Sequence, residues 1–190
     1  MSENKRIILA ITGASGAVYG LRMLEALHKL NLETHLIISP MGQRVLTEEA
    51  GISLSDIANL ANTVYSPDDL GAAIASGSFQ TGGMLVVPCS IKTLSGIANS
   101  YADNLIQRAT DVCLKEGRPL LLAVRETPLH TGHLRLMSQA ASAGAIIFPP
   151  VPAFYDHPES IDDLVNATIG RMLARIGIEN ELYQPWGKSG

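Results

Sequence analysis

Short apolar runs, separated by stretches with helical spacing, set the pattern of this chain. The first run is Ile7-Ile8-Leu9-Ala10-Ile11. Uninterrupted Ile, Leu and Val mark strands buried on both faces. Strands are predicted at 6–12, 34–39, 83–88, 119–125 and 145–149. Between them the period changes. Val18, Leu21, Leu24, Leu27 and Leu30 form one stripe on a helix over 17–30. Residues 91–115 and 131–143 also read as helix. A last helix over 161–177 starts on Ser160 and Asp163, a capping-box pair, and stops at Gly177. The alternation predicts a single α/β domain over 1–190, a doubly wound, mostly parallel sheet with helices on both faces. The tail, from about 178 to 190, is expected to pack on the core or on a neighbouring subunit. Residues 149–158 are too rich in proline for helix or sheet interior. They read as a rigid loop beyond a strand's carboxyl end, where sheets of the Rossmann or flavodoxin type keep their ligand sites.

Composition narrows the function classes. The chain is 46% hydrophobic and only 17% charged, so much of its surface is expected to be covered by other subunits. A net charge of −4 and no basic run argue against nucleic acid. No apolar stretch is long enough to span a bilayer. The two cysteines, Cys89 and Cys113, have no metal-like spacing and fit a reduced, cytoplasmic protein. The polar start, Met1 to Arg6, does not read as a leader.

Candidate chemistry gathers at strand-to-helix turns. Thr12-Gly13-Ala14-Ser15-Gly16-Ala17 follows the first strand, where helix N–H groups and the dipole favour a phosphate. The competing reading is a tight turn. The glycines at 13, 16 and 20 do not match the dinucleotide fingerprint, and the second strand ends in Ser39-Pro40, with no acid for a ribose diol. A mononucleotide such as a flavin suits this better. A second turn, Pro88-Cys89-Ser90-Ile91-Lys92-Thr93, places Ser90 as a cap and Lys92 in the first helical turn. Lysine there opposes the dipole unless an anion or an electron-rich ring is near; otherwise it is a solvated side chain. A third, Arg125-Glu126-Thr127-Pro128, offers an ion pair or a working acid and cation. Cys89 reads as packing, since no histidine is close in sequence. His130 and His133 lack further ligands, so no metal is expected. Trp186, the lone tryptophan, is a docking anchor or an active-site wall.

Six segments in order resemble the UbiX-type flavin prenyltransferases: TGASGA at 12–17, GSFQT at 77–81, PCSIKTLSGI at 88–97, VRETPLH at 124–130, HLRLM at 133–137 and PPVPAFY at 149–155. The resemblance covers about Arg6 to Trp186. It implies transfer of a dimethylallyl group from dimethylallyl phosphate to N5 and C6 of reduced FMN. The product, prenylated FMN, is the cofactor of UbiD-type decarboxylases, in many bacteria for ubiquinone synthesis. By the same resemblance Gly13, Ala14, Ser15, Ser39, Ser90, Ile91, Lys92, Thr93 and Arg125 bind FMN. Tyr155 and Arg171 hold the dimethylallyl phosphate, with Arg108 and Lys115 as helpers from a neighbouring subunit. Glu49, Glu126, Ser15 and Trp186 are implied in catalysis, although Glu48 adjoins Glu49 and either could be meant. The family forms twelve-subunit assemblies.

The chemistry agrees with these residues. Phosphate leaving an allylic carbon creates a cation and an anion. No aspartate-rich magnesium motif is present, so arginine, lysine and tyrosine would receive the anion. The Trp186 ring face and the flavin would shield the cation. Ring closure sheds a proton, and Glu126, Glu49 or the departing phosphate could take it. The rival readings are a flavin-dependent decarboxylase of the same fold, acting on a cysteine-containing substrate, and a non-catalytic FMN carrier. A nicotinamide oxidoreductase ranks third.

Overall fold

In a computed structural model, which describes residues 6–155 and 157–187, the strands are β1 (Arg6–Ile11), β2 (Glu33–Ile38), β3 (Thr63–Tyr65), β4 (Gly83–Cys89), β5 (Leu120–Val124) and β6 (Ile146–Ile147). They form one six-stranded sheet in the order β3-β2-β1-β4-β5-β6, and every pairing is parallel. The helices are α1 (Ala17–Lys29), α2 (Pro40–Ala50), α3 (Leu54–Ile57), α4 (Ile91–Ala98), α5 (Leu105–Lys115), α6 (Thr131–Ser142) and α7 (Ile161–Arg175).

Two cores explain the apolar strands. Ile7, Leu9 and Ile11 of β1 pack with residues of α1 and α7, together with Leu85 and Val87 of β4. Ile8 and Ala10 point to the other side, among residues of α4, α5 and α6. Alternate residues thus serve opposite faces, and both faces are covered, so no polar position interrupts these strands. In β1, β4 and β5 polarity is confined to the ends, whereas β2 buries Thr34 and His35. Because the sheet is parallel, the turns after β1, β2, β4 and β5 all open on one edge, and the order reverses between β1 and β4.

The predicted boundaries hold for α1 and α7. Ser160 and Asp163 form the expected capping box, and Gly177, at φ 82°, follows the helix end. Two expectations change, and one helix was not foreseen. The helix predicted over 91–115 is two helices, because Ser100 turns to φ 51° and Asn104 caps α5 by accepting from the Gln107 N–H. The strand predicted over 145–149 pairs only at Ile146 and Ile147. The segment after Ser39 is helical: Ser39 accepts from the Gly42 N–H and Pro40 fills the first position, where its missing N–H costs nothing. The edge strand β3 was absent from the periodicity because it is three residues long and half-exposed.

Candidate active site

At the point where the strand order reverses, Thr12 ties the two halves of the sheet together. Its hydroxyl donates to the Pro88 carbonyl at 2.8 Å and accepts from the Ser90 N–H at 2.8 Å. Its own N–H donates to the same carbonyl at 3.2 Å. The starts of α1 and α4 are thereby held side by side. Gly13 allows α2 to close on the first turn, since a Cβ there would lie 2.4 Å from the Met41 Cβ.

The N-terminus of α1 already carries an anion. One oxygen of Glu49, at the end of α2, accepts from the N–H groups of Gly16 and Ala17, each at 2.9 Å. Burial pushes the Glu49 carboxyl upward, but the Ser15 hydroxyl, the two N–H groups and the Arg125 charge outweigh it, and the net shift is downward. Glu49 thus meets the two N–H groups, of Gly16 and Ala17, that the sequence offers to a phosphate. The adjacent Glu48 pairs instead with Arg44 at 2.8 Å.

The remaining anion grips are at α2 and α4. Ser90 caps α4 through the Thr93 N–H at 3.4 Å and lies 3.2 Å from the Thr93 hydroxyl. Ile91 and Lys92 occupy the first turn, whose N–H groups have no intrahelical acceptor. The Lys92 side chain borders a shallow groove with Ser95, Asn99 and Tyr101. Ser39 offers the corresponding cap on α2. Arg125, just past β5, is exposed, and its N–H donates to the Cys89 carbonyl at 3.1 Å. A flavin mononucleotide fits this edge. Two capped helix starts suit its phosphate, and an open crevice with hydroxyls and a guanidinium suits the rest.

Glu126 is exposed and accepts from the Thr127 N–H at 3.0 Å. Beyond β6, Tyr155 and Trp186 meet edge to face, with centroids 5.3 Å apart at 84°. The Tyr155 hydroxyl donates to the Gln184 carbonyl at 3.3 Å. Arg171 sits over the Phe148 ring at 5.9 Å and shares a small cleft with Tyr155 and Tyr183.

Arg108 and Lys115 stand apart from this group within one chain. Arg108 bonds Asp111 at 2.9 Å and the Ala75 carbonyl at 3.3 Å. Lys115 pairs with Glu116, at the end of α5 that leads into the start of β5, the sheet edge opposite the turns. Cys89 is fully buried, and burial pushes its thiol up to about 12, which opposes a nucleophilic role. His130 caps α6 through the Gly132 N–H at 3.0 Å, and its ring lies against that of His133, centroids 3.6 Å apart and planes tilted by 37°. Among the described residues no group of three or more His, Cys, Asp or Glu could hold a metal ion.

Two neighbours of the site were missed. Tyr19 is half-buried one turn into α1; burial raises its phenol, and the Arg125 charge opposes that. Its signal was a polar tip on an otherwise apolar stripe. Phe148, under Arg171, was hidden at the end of a strand-like run.

Comparisons with known proteins converge. The Flavoprotein family model matches residues 1–173. The flavin prenyltransferase UbiX of Escherichia coli strain K12 is 53% identical over 185 residues, 96% of this chain and 98% of that protein. A crystal structure of AnUbiX in complex with FMN and dimethylallyl pyrophosphate superposes with a TM-score of 0.95 at 44% identity, covering 98% of this chain and 100% of that one. A dodecameric FMN-dependent UbiX-like decarboxylase from Escherichia coli O157:H7 superposes at 0.92 with 46% identity, covering 95% and 98%.

Proposed function

This chain belongs to the Flavoprotein family, among the UbiX flavin prenyltransferases, and from that premise we propose that it joins a dimethylallyl group to reduced FMN. One observation supports this above the rest. Ser39, Ser90 and Arg125 stand on the carboxyl edge of one sheet, with the Tyr155–Trp186 pair and Arg171 at its far end. The first group suits a flavin phosphate and ring; the second suits a small apolar group carrying a phosphate.

The roles follow from chemistry. Gly13 and Ala14 let the backbone approach the flavin closely. Ser39, Ser90, Ile91, Lys92 and Thr93 supply hydroxyl, ammonium and N–H donors to its phosphate end, and Arg125 supplies a cation beside it. Reduced FMN, when bound, supplies the electron-rich N5 and C6. Arg171 and the Tyr155 hydroxyl receive the leaving phosphate, and Trp186 offers its ring face to the allylic cation. Arg108 and Lys115 add charge when a neighbouring subunit presents them. Glu49 is held ionised, so it serves as an acceptor and orients the Ser15 hydroxyl. Ring closure would place one proton on the allyl double bond, matched by the proton that N5 gives up on alkylation, and Glu126 would take the proton that C6 sheds. Dimethylallyl phosphate is the proposed donor. A UbiD-type decarboxylase is the proposed recipient, with ubiquinone synthesis as the setting. A homododecamer in the cytoplasm is the proposed state, in keeping with two buried, free cysteines.

A second reading has its own support, since one similar structure is described as a decarboxylase. One experiment separates the two. Anaerobic protein is incubated with reduced FMN and dimethylallyl phosphate, and the flavin is weighed. A gain of one five-carbon unit is expected; unmodified flavin would sink the proposal. Glu126→Gln should bind FMN as tightly as the parent and lower turnover by roughly 10²-fold or more. Unchanged turnover removes Glu126 from the mechanism.

A further inference from the structure

We propose that Asn180 is a positioning residue that holds the prenyl end of the site in shape by clamping the C-terminal tail onto α7. The inference rests on the prenyltransferase reading above. The tail from Ile178 to Gly187 has no helix or strand; its backbone is tied to α7 at its start, where the Ile178 N–H donates to the Leu173 carbonyl at 3.0 Å, and side chains must guide the rest. Asn180 uses its whole amide. Its Nδ2 donates to the Gly170 carbonyl at 3.0 Å and to the Ile178 carbonyl at 3.2 Å, and its Oδ1 accepts from the Leu182 N–H at 3.1 Å. The first bond crosses to α7; the others fold the tail around the amide as a local turn.

Gly170 is the seat for this clamp. A Cβ at Gly170 would lie 2.8 Å from the Asn180 Oδ1, 2.8 Å from the Leu182 Cβ and 3.0 Å from the Tyr183 ring. Only a residue without a side chain lets the tail lie this close. Tyr183 then links the clamp to the site. One edge of its ring rests on Gly170, and it lines the same cleft as Tyr155 and Arg171. One residue further along, the Gln184 carbonyl accepts the Tyr155 hydroxyl, and Trp186 stands edge-on to the Tyr155 ring. Within its own chain Trp186 is 80% exposed, and it meets the Tyr155 ring there. Its place depends on the clamp upstream, and so does the aromatic wall that would meet the dimethylallyl group.

Asn180→Ala and Gly170→Ala test this, each assembled as the full chain. Trp186 is the only tryptophan, so its fluorescence anisotropy reports the tail without any ligand. In both variants the anisotropy should fall. KM for dimethylallyl phosphate should rise by roughly ten- to hundredfold, as expected for a misplaced binding wall, while FMN affinity stays at the parent value. Unchanged anisotropy overturns the clamp. A fall in anisotropy with an unchanged KM, or a loss of FMN affinity in step with KM, overturns the positioning role. Failure of both variants to fold would make the contact a support of the fold and also overturn it. A parent protein that binds FMN but transfers no prenyl group defeats the reaction instead; anisotropy and FMN titration, both read without the donor, tell the two failures apart.

Discussion

Glu49 caps α1 with one oxygen, through the N–H groups of Gly16 and Ala17, and this hold should depend on pH. Its native carboxyl lies below the ordinary value, so its contribution to stability is fully present above the unfolded-state value. It is lost as pH falls through the depressed native value. Glu49→Ala should cost about 0.5 kcal/mol at neutral pH, the lower end of cap losses, because the group is exposed and screened. Urea midpoints measured for parent and variant should converge in acid. A constant gap down to strongly acid pH would show that the carboxylate charge is not what holds the helix end.

At the scale of elements, caps decide where helices begin, and they can be tested one at a time. Ser160→Ala removes the bond to the Asp163 N–H and should lower stability by about 1 kcal/mol, read as a shifted urea midpoint with unchanged slope. A shift under a third of that would make the cap ornamental. The same chemistry shows what could be read in advance. The parallel sheet, the strand-end turns and α7 were legible because apolar runs and cap pairs are local signals. Serine followed by proline at 39 and 40 was equally a helix start, yet it reads as a plain turn when no apolar stripe follows strongly; α2 buries only Gly42 and Leu46. The break between α4 and α5 depends on Tyr101 donating its N–H back to the Gly96 carbonyl, a contact that no period reports. The occupancy of the α1 terminus by Glu49 was illegible for a related reason. Its partners lie more than thirty residues away in sequence, and only the packing of α2 against α1 brings them together.

For the whole molecule, the edge beyond β5 is unfinished in a single chain. Of the twelve residues of α6 only Ala140 is buried, and Leu129, Leu134, Val151 and Phe154 are exposed. A monomer seldom leaves so much apolar side chain in water, and the similar dodecameric structure offers other copies as cover. Leu134→Glu should therefore shift sedimentation toward smaller species while leaving the far-ultraviolet circular dichroism intact. A full-size assembly in that variant would place the contact elsewhere. Assembly would also bear on Arg108 and Lys115, which their own chain leaves outside the site.

Thr12 carries a different consequence. Its hydroxyl is spent twice, on Pro88 and on Ser90, so it has little left for a visitor. What it does is hold the crevice at one width before anything arrives. A mouth fixed during folding asks the chain to surrender little conformational entropy on loading, and the cost of ordering falls on the ligand and the water it displaces. Little of the binding free energy at this edge should then go into ordering the protein, and the heat of loading should report the new contacts and the displaced water.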